Sequence, residues 1–100
     1  MPASGLSILI PVYNYDVRRL VEALRQQADA LEWAVEILCW DDASLPEFQN
    51  INAPLGQLPG VTYRLMPENL GRSRIRNRLA EAARYDYLLF MDGDSEVARA

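Results

Sequence analysis

The chain has 100 residues, half of them apolar, with ten Arg, fourteen acidic residues, no His and no Lys, for a net charge of −4. Such a length allows one small domain, which hides only about 60–65% of the surface of its unfolded chain. Without His or Lys, a Ser-His-Asp triad, a His phosphorelay, a Schiff-base Lys and a phosphate-loop Lys are excluded within this segment, so chemistry falls to carboxylates, Arg, backbone groups or a metal, and the acidic balance disfavours nucleic acid as a partner.

The opening segment MPASGLS has no basic region, and no apolar run approaches the ~18–20 residues of a membrane span. The expectation is a soluble, unsecreted, cytoplasmic chain, at most at the inner face of a membrane in a longer protein. Residues 6–12, LSILIPV, read as a buried strand closed by Pro11. Asp16 is placed to cap a helix running to Leu31, because Val17, Leu20, Val21, Leu24, Ala28 and Leu31 recur every three or four residues. A second strand, residues 34–42, AVEILCWDD, ends in acid. Its Cys39 is the only cysteine, which leaves no disulfide framework and no cysteine-built metal site, and inside an apolar run it reads as a small buried thiol.

Ser44 and Glu47, three residues apart, fit a capping box for a short helix with Pro46 in its first turn. Residues 52–60, NAPLGQLPG, read as a loop. VTYRLM, residues 61–66, is a third strand. Pro67 to Gly71 turn the chain into a helix over residues 72–84, and DYLLFMD, residues 86–92, is a fourth strand. The order βαβαβαβ predicts parallel pairing, right-handed crossovers and a three-layer, Rossmann-like α/β sheet, and near-continuous apolar strands suit a sheet covered on both faces.

Each strand ends in polar residues: Tyr13, Asn14 and Asp16, then Asp41 and Asp42, then Glu68 and Asn69, then Asp92 and Asp94. A parallel sheet brings all these ends to one edge, where open α/β folds bind ligands at the point of reversed strand order. The plainer alternative is that Asp and Asn favour turns everywhere. Asp92 and Asp94, separated by Gly93, would repel at close range unless a cation or an Arg intervened. Oxygen-only ligation suits Mg²⁺ or Mn²⁺, with substrate phosphate completing the shell, although a simple turn on Gly93 also accounts for the pattern. In the helix from Gly71, Arg72 pairs by spacing with Arg76 and Arg74 with Arg78, and one pair would face the ligand edge. A solvated basic face balanced by Glu81 is the alternative for Arg72, Arg74 and Arg78.

Four motifs in order, SILIPVYN, WDDAS, ENLGRSRIRN and YLLFMDGDS, together resemble the N-terminal half of an inverting nucleotide-sugar glycosyltransferase of family two, a family with the GT-A fold. The resemblance spans residues 6–97. It implies that Pro11, Val12, Tyr13 and Asn14 surround the nucleotide base, and that one carboxylate of the Asp41–Asp42 pair reads that base, usually uracil. Asn69 and Gly71 match an Asn-x-Gly turn, and Arg76 with Asn77 match an Arg-Asn that lines the nucleotide pocket. Asp92 and Asp94 match a metal-binding DxD that reaches the ribose and, through Mn²⁺ or Mg²⁺, the diphosphate. The implied reaction moves a sugar from a nucleoside-diphosphate sugar, such as a UDP-sugar, to an acceptor hydroxyl of a glycan or lipid.

The chain departs from the family's pattern at Tyr15, where an acidic residue is common, and at Ile75, where Ala is common. It is also short. The family's acceptor site and its catalytic carboxylate belong to a second half, so the expectation is a truncated, donor-binding piece without catalytic residues of its own, inactive alone, that self-associates through the exposed edge of a cut sheet. Rival readings are a haloacid-dehalogenase-like phosphatase with the first Asp of DxD as nucleophile, a receiver domain, and a non-enzymatic α/β interaction module. The phosphatase motif normally opens its domain, and a receiver needs a Lys.

Overall fold

The structure, a computed structural model, describes residues 4–93. Strand β1 (Gly5–Val12) is followed by helix α1 (Arg18–Asp29), β2 (Ala34–Asp41), α2 (Pro46–Asn52), a 3-10 helix (Ala53–Gln57), β3 (Val61–Leu65), α3 (Arg72–Ala82) and β4 (Tyr87–Phe90). The four strands form one parallel sheet in the order β3-β2-β1-β4. The alternation of strand and helix read from the sequence is therefore the observed one.

Alternation along each strand divides the core in two. Ile8, Ile10 and Val12 of β1 join Ile37 and Cys39 of β2 and Val61 of β3 on one face, beneath Leu20, Val21 and Leu24 of α1. Leu9, Leu38 and Trp40 point the other way and pack on Met66 and on Ile75 and Leu79 of α3. Burial on both faces explains why β1 and β2 read as unbroken apolar runs. Cys39 lies in the first of these clusters, and burial pushes its thiol up to about 12, the state of an inert packing group.

Three local expectations are corrected. Val17, not Asp16, is the residue before α1, and the helix ends at Asp29 rather than Leu31, which is exposed. Asp16 instead accepts the Arg18 backbone N–H at 3.0 Å and pairs with the Arg18 guanidinium at 2.7 Å, which holds its carboxyl below the usual carboxylate value. The Ser44–Glu47 capping box does not form. Leu45 precedes α2, and the Ser44 hydroxyl is committed to the Asn14 N–H at 2.8 Å. The stretch 52–60 is not a plain loop, because Leu55 is drawn into the core beneath α1 and holds residues 53–57 in a 3-10 helix with Pro54 in its first turn.

β4 is an edge strand whose one partner among the described residues is β1. Tyr87, Leu88 and Leu89 are all exposed, and Tyr87 stacks on Trp33 with ring centroids 5.1 Å apart. Among the described residues no helix is long and apolar enough to cross a membrane.

Candidate donor-nucleotide site

β1 has β2 on one side and β4 on the other, so strand order reverses between β1 and β4. Loops leaving the sheet on either side of such a point run apart and leave a crevice between them. A cleft of about 390 Å³ lies there. Its walls come from four places: Pro11, Val12, Tyr13 and Tyr15 where β1 ends, Asp42 after β2, Asn69, Gly71, Arg72 and Ile75 around the start of α3, and Asp92 with Gly93 after β4. Tyr13 and Tyr15 are about half exposed and give the cleft two aromatic surfaces.

The two adjacent aspartates have separate jobs because successive side chains leave a strand on opposite faces. Asp41 turns toward the α1 face. It is fully buried, accepts the Ser44 N–H at 2.8 Å and the Tyr63 hydroxyl at 2.5 Å, and does not line the cleft. Burial, and then this carboxylate, push the Tyr63 phenol well above its ordinary value, so Tyr63 stays a proton donor to Asp41. Asp42 turns toward α3 and lines the cleft. Its two oxygens accept the N–H groups of Leu70 at 2.6 Å and Gly71 at 3.0 Å. Its own N–H bonds the Val12 carbonyl at 2.8 Å, and its carbonyl accepts the Asn69 amide at 3.0 Å. One residue thus ties the end of β1, the end of β2 and the turn into α3. Gly71 adopts φ 87, and a Cβ built there would meet nothing within 4 Å, so the backbone angle rather than space calls for glycine.

Asn14 stands beside the cleft rather than in its wall. It adopts φ 50, and its side-chain oxygen accepts the Leu45 N–H at 2.8 Å, so it braces the start of α2 against the end of β1. Asn52 holds the same loop from below: fully buried, it accepts the Val17 N–H at 3.0 Å and donates to the Tyr15 carbonyl at 2.7 Å. Asn52 carries no local signal of this role in the sequence, because its partners lie 35 and 37 residues away.

Arg76 is placed differently from expectation. Ile75 and Leu79 define the core face of α3, and Arg76 lies to one side, its guanidinium 4.5 Å above the Phe90 ring and outside the cleft wall. Arg72, three residues before Ile75, faces the cleft and forms an ion pair with Asp92 at 2.9 Å.

Asp94 lies outside the described residues. Among the described residues no group of three or more His, Cys, Asp or Glu gathers as a self-sufficient metal cage. Asp92 is a half-exposed hard-oxygen donor at the cleft wall that already holds a positive partner. Such a donor fits Mg²⁺ or Mn²⁺, which bind through one or two carboxylates and complete their shells with phosphate and water.

A parallel α/β sheet with a polar and aromatic cleft at its switch point defines a Rossmann-like ligand-binding domain. Residues 7–100 match the profile of glycosyl transferase family 2, and the chain belongs to that family. It is 29% identical over 99 residues to EpsH of Bacillus subtilis (strain 168), a protein provisionally named a glycosyltransferase, covering 97% of this chain and 28% of EpsH. The fold resembles that of TarS from S. aureus solved in complex with UDP, with a TM-score of 0.68 and 21% identity over 90% of this chain and 27% of that one. It also resembles the mannosyltransferase PcManGT from Pyrobaculum calidifontis in complex with GDP-Man and Mn²⁺, with a TM-score of 0.69 and 16% identity over 92% of this chain and 28% of that one. These likenesses show that the sheet is that of GT-A glycosyltransferases. The chain spans less than a third of the length of each of these relatives.

Proposed function

We propose that this chain forms the donor-binding part of a glycosyltransferase that moves a sugar from a nucleoside-diphosphate sugar, with UDP as the nucleotide, to an acceptor hydroxyl of a glycan or lipid. The observation that carries the reading is the switch-point cleft, which joins two half-exposed tyrosines, a carboxylate, a helix N-terminus and Asp92 in one surface. UDP, and GDP-Man with Mn²⁺, are the ligands of the TarS and PcManGT complexes of the same fold.

In this proposal Pro11, Val12, Tyr13 and Tyr15 wall the base, and aromatic faces suit stacking by any nucleobase. Asp42 is an acceptor for a base N–H, as uracil offers, using lone pairs that Leu70 and Gly71 leave free. The α3 N-terminus turns its unpaired N–H groups and positive dipole end toward the diphosphate. Asp92, with Asp94, would hold Mn²⁺ or Mg²⁺, which when bound supplies charge neutralisation at the departing diphosphate. Asn14, Asp41 and Asn52 act one layer back by fixing the loops that carry these groups, and Arg76 steadies the β4 edge through Phe90. The residue that deprotonates the acceptor is proposed to lie outside residues 1–100.

Thermal unfolding with UDP, GDP and dTDP, each with and without Mn²⁺, tests the reading. A nucleotide at a hundred times its Kd adds about 2.7 kcal/mol. UDP is expected to stabilise the protein only when Mn²⁺ is present, and Asp92→Ala is expected to remove that effect. Stabilisation by Mn²⁺ with phosphate mimics such as vanadate, and none by nucleotides, would contradict it.

A further inference from the structure

Arg72 opens α3, one residue after the positive-φ Gly71, and reaches across the mouth of the cleft to Asp92. Its Nη2 donates to Asp92 Oδ1 at 2.9 Å. The bond links the two banks of the cleft, the α3 side and the β4 side. Both side chains are largely in water, 70% and 50% exposed, so the pair is weak and easily exchanged. Its guanidinium puts positive charge on the same carboxylate that the donor-site reading gives to a divalent cation. A guanidinium and a metal ion on one carboxylate would repel each other, so occupation by one disfavours the other.

We infer that Arg72 occupies Asp92 while the cation is absent, and that, displaced by the cation, it turns to the anionic diphosphate. This inference rests on the donor-site reading above. The displaced side chain remains anchored at a helix N-terminus, where anions are favoured, and an arginine fork matches phosphate oxygens two at a time. The exchange has a thermodynamic consequence. The cation loses affinity by having to break the pair, and the diphosphate gains by capturing the freed Arg72, so each ligand strengthens the other by the same factor. Arg74 serves as a comparison, because it lies exposed on the same helix, carries the same charge and does not line the cleft.

The test separates three affinities in the full chain: Mn²⁺ alone, from the free-ion electron spin resonance signal, and UDP and UMP in the presence of Mn²⁺. Arg72→Gln is expected to bind Mn²⁺ alone about two- to fivefold more tightly, the scale of an exposed ion pair. The same variant is expected to bind UDP at least about fivefold more weakly, while UMP, which lacks the second phosphate, changes less than about twofold. Arg72→Lys should keep the Mn²⁺ affinity near that of the unsubstituted protein, and Arg74→Gln should leave all three affinities unchanged. A residue that merely held the fold would not strengthen metal binding on removal. Unchanged or weaker Mn²⁺ binding in Arg72→Gln, an equal loss for UDP and UMP, or a gain in Arg74→Gln matching that in Arg72→Gln would overturn the exchange alone. An unsubstituted protein with no metal-dependent UDP binding would overturn the donor-site reading along with it.

Discussion

Asp42→Ala is expected to weaken UDP binding more than tenfold and to destabilise the protein by about 1–3 kcal/mol, the cost of leaving partly buried donors unpaired beside a buried side chain's cavity. The Asp42 carboxylate is nearly buried and takes the N–H groups of two successive residues, Leu70 and Gly71. Removing it frees the turn that places Gly71 at φ 87, and with it the first residue of α3. The same substitution removes the acceptor proposed for the base. Asp42→Asn separates the two losses. Its amide keeps one accepting oxygen but aims an NH₂ group at one of the backbone N–H groups. UDP binding should therefore fall while part of the stability survives. Measured affinity and urea midpoints for the two variants check this, and an Asp42→Ala protein with unchanged UDP affinity would remove Asp42 from the site.

The second large effect falls on the core. Leu9→Ala is expected to cost about 2–5 kcal/mol, because a buried leucine removed from a close-packed interior leaves a cavity that its neighbours fill only in part. Leu9 is fully buried at the centre of the sheet, flanked by Leu38 and Phe90 in register and covered by Ile75 and Leu79 of α3. Against a total of about 5–15 kcal/mol for a typical domain, that is a large share. Leu88→Ala, on the exposed edge strand, is expected to cost less than about 1 kcal/mol, since much of its side chain already meets water. Denaturant unfolding of both variants gives the comparison. Equal losses would mean that β4 is covered and that the core is not centred on β1.

The strands were legible because a sheet covered on both faces demands uninterrupted apolar runs, and LSILIPV and EILCW are such runs. That same continuity hid the division of labour between Asp41 and Asp42. A strand apolar on both faces carries no polar alternation to mark which side is which, so the roles emerge only from the register against β1 and β3. In α3 the signal lies in the spacing of the apolar residues. Ile75 and Leu79 mark the inward stripe, and counting back three residues from Ile75 reaches Arg72, which lines the cleft, whereas Arg76 falls beside the stripe and over Phe90.

Other misses share one cause: side chains satisfied by partners far along the chain. Ser44 looked like a helix cap from its neighbours, yet its hydroxyl is taken by Asn14, 30 residues earlier. Asn52 read as the first residue of a loop, yet both ends of its amide hold the loop that carries Tyr15. Propensities describe a residue's own neighbourhood and say nothing of such long-range bonds. The 3-10 helix at Ala53–Gln57 belongs here too, since a Pro- and Gly-bearing segment reads as loop until Leu55 finds the core.

UDP, with Mn²⁺ or Mg²⁺, is proposed to bind where the strand order reverses. Titration of ¹⁵N-labelled protein with UDP and Mg²⁺, followed by trace Mn²⁺ as a paramagnetic probe, tests it most directly. The amide signals of Tyr13, Tyr15, Asp42, Gly71 and Arg72 are expected to shift with UDP, and Mn²⁺ is then expected to broaden those nearest Asp92 first. Shifts centred instead on the Trp33–Tyr87 edge, or no shift in that group at saturating UDP and metal, would contradict it.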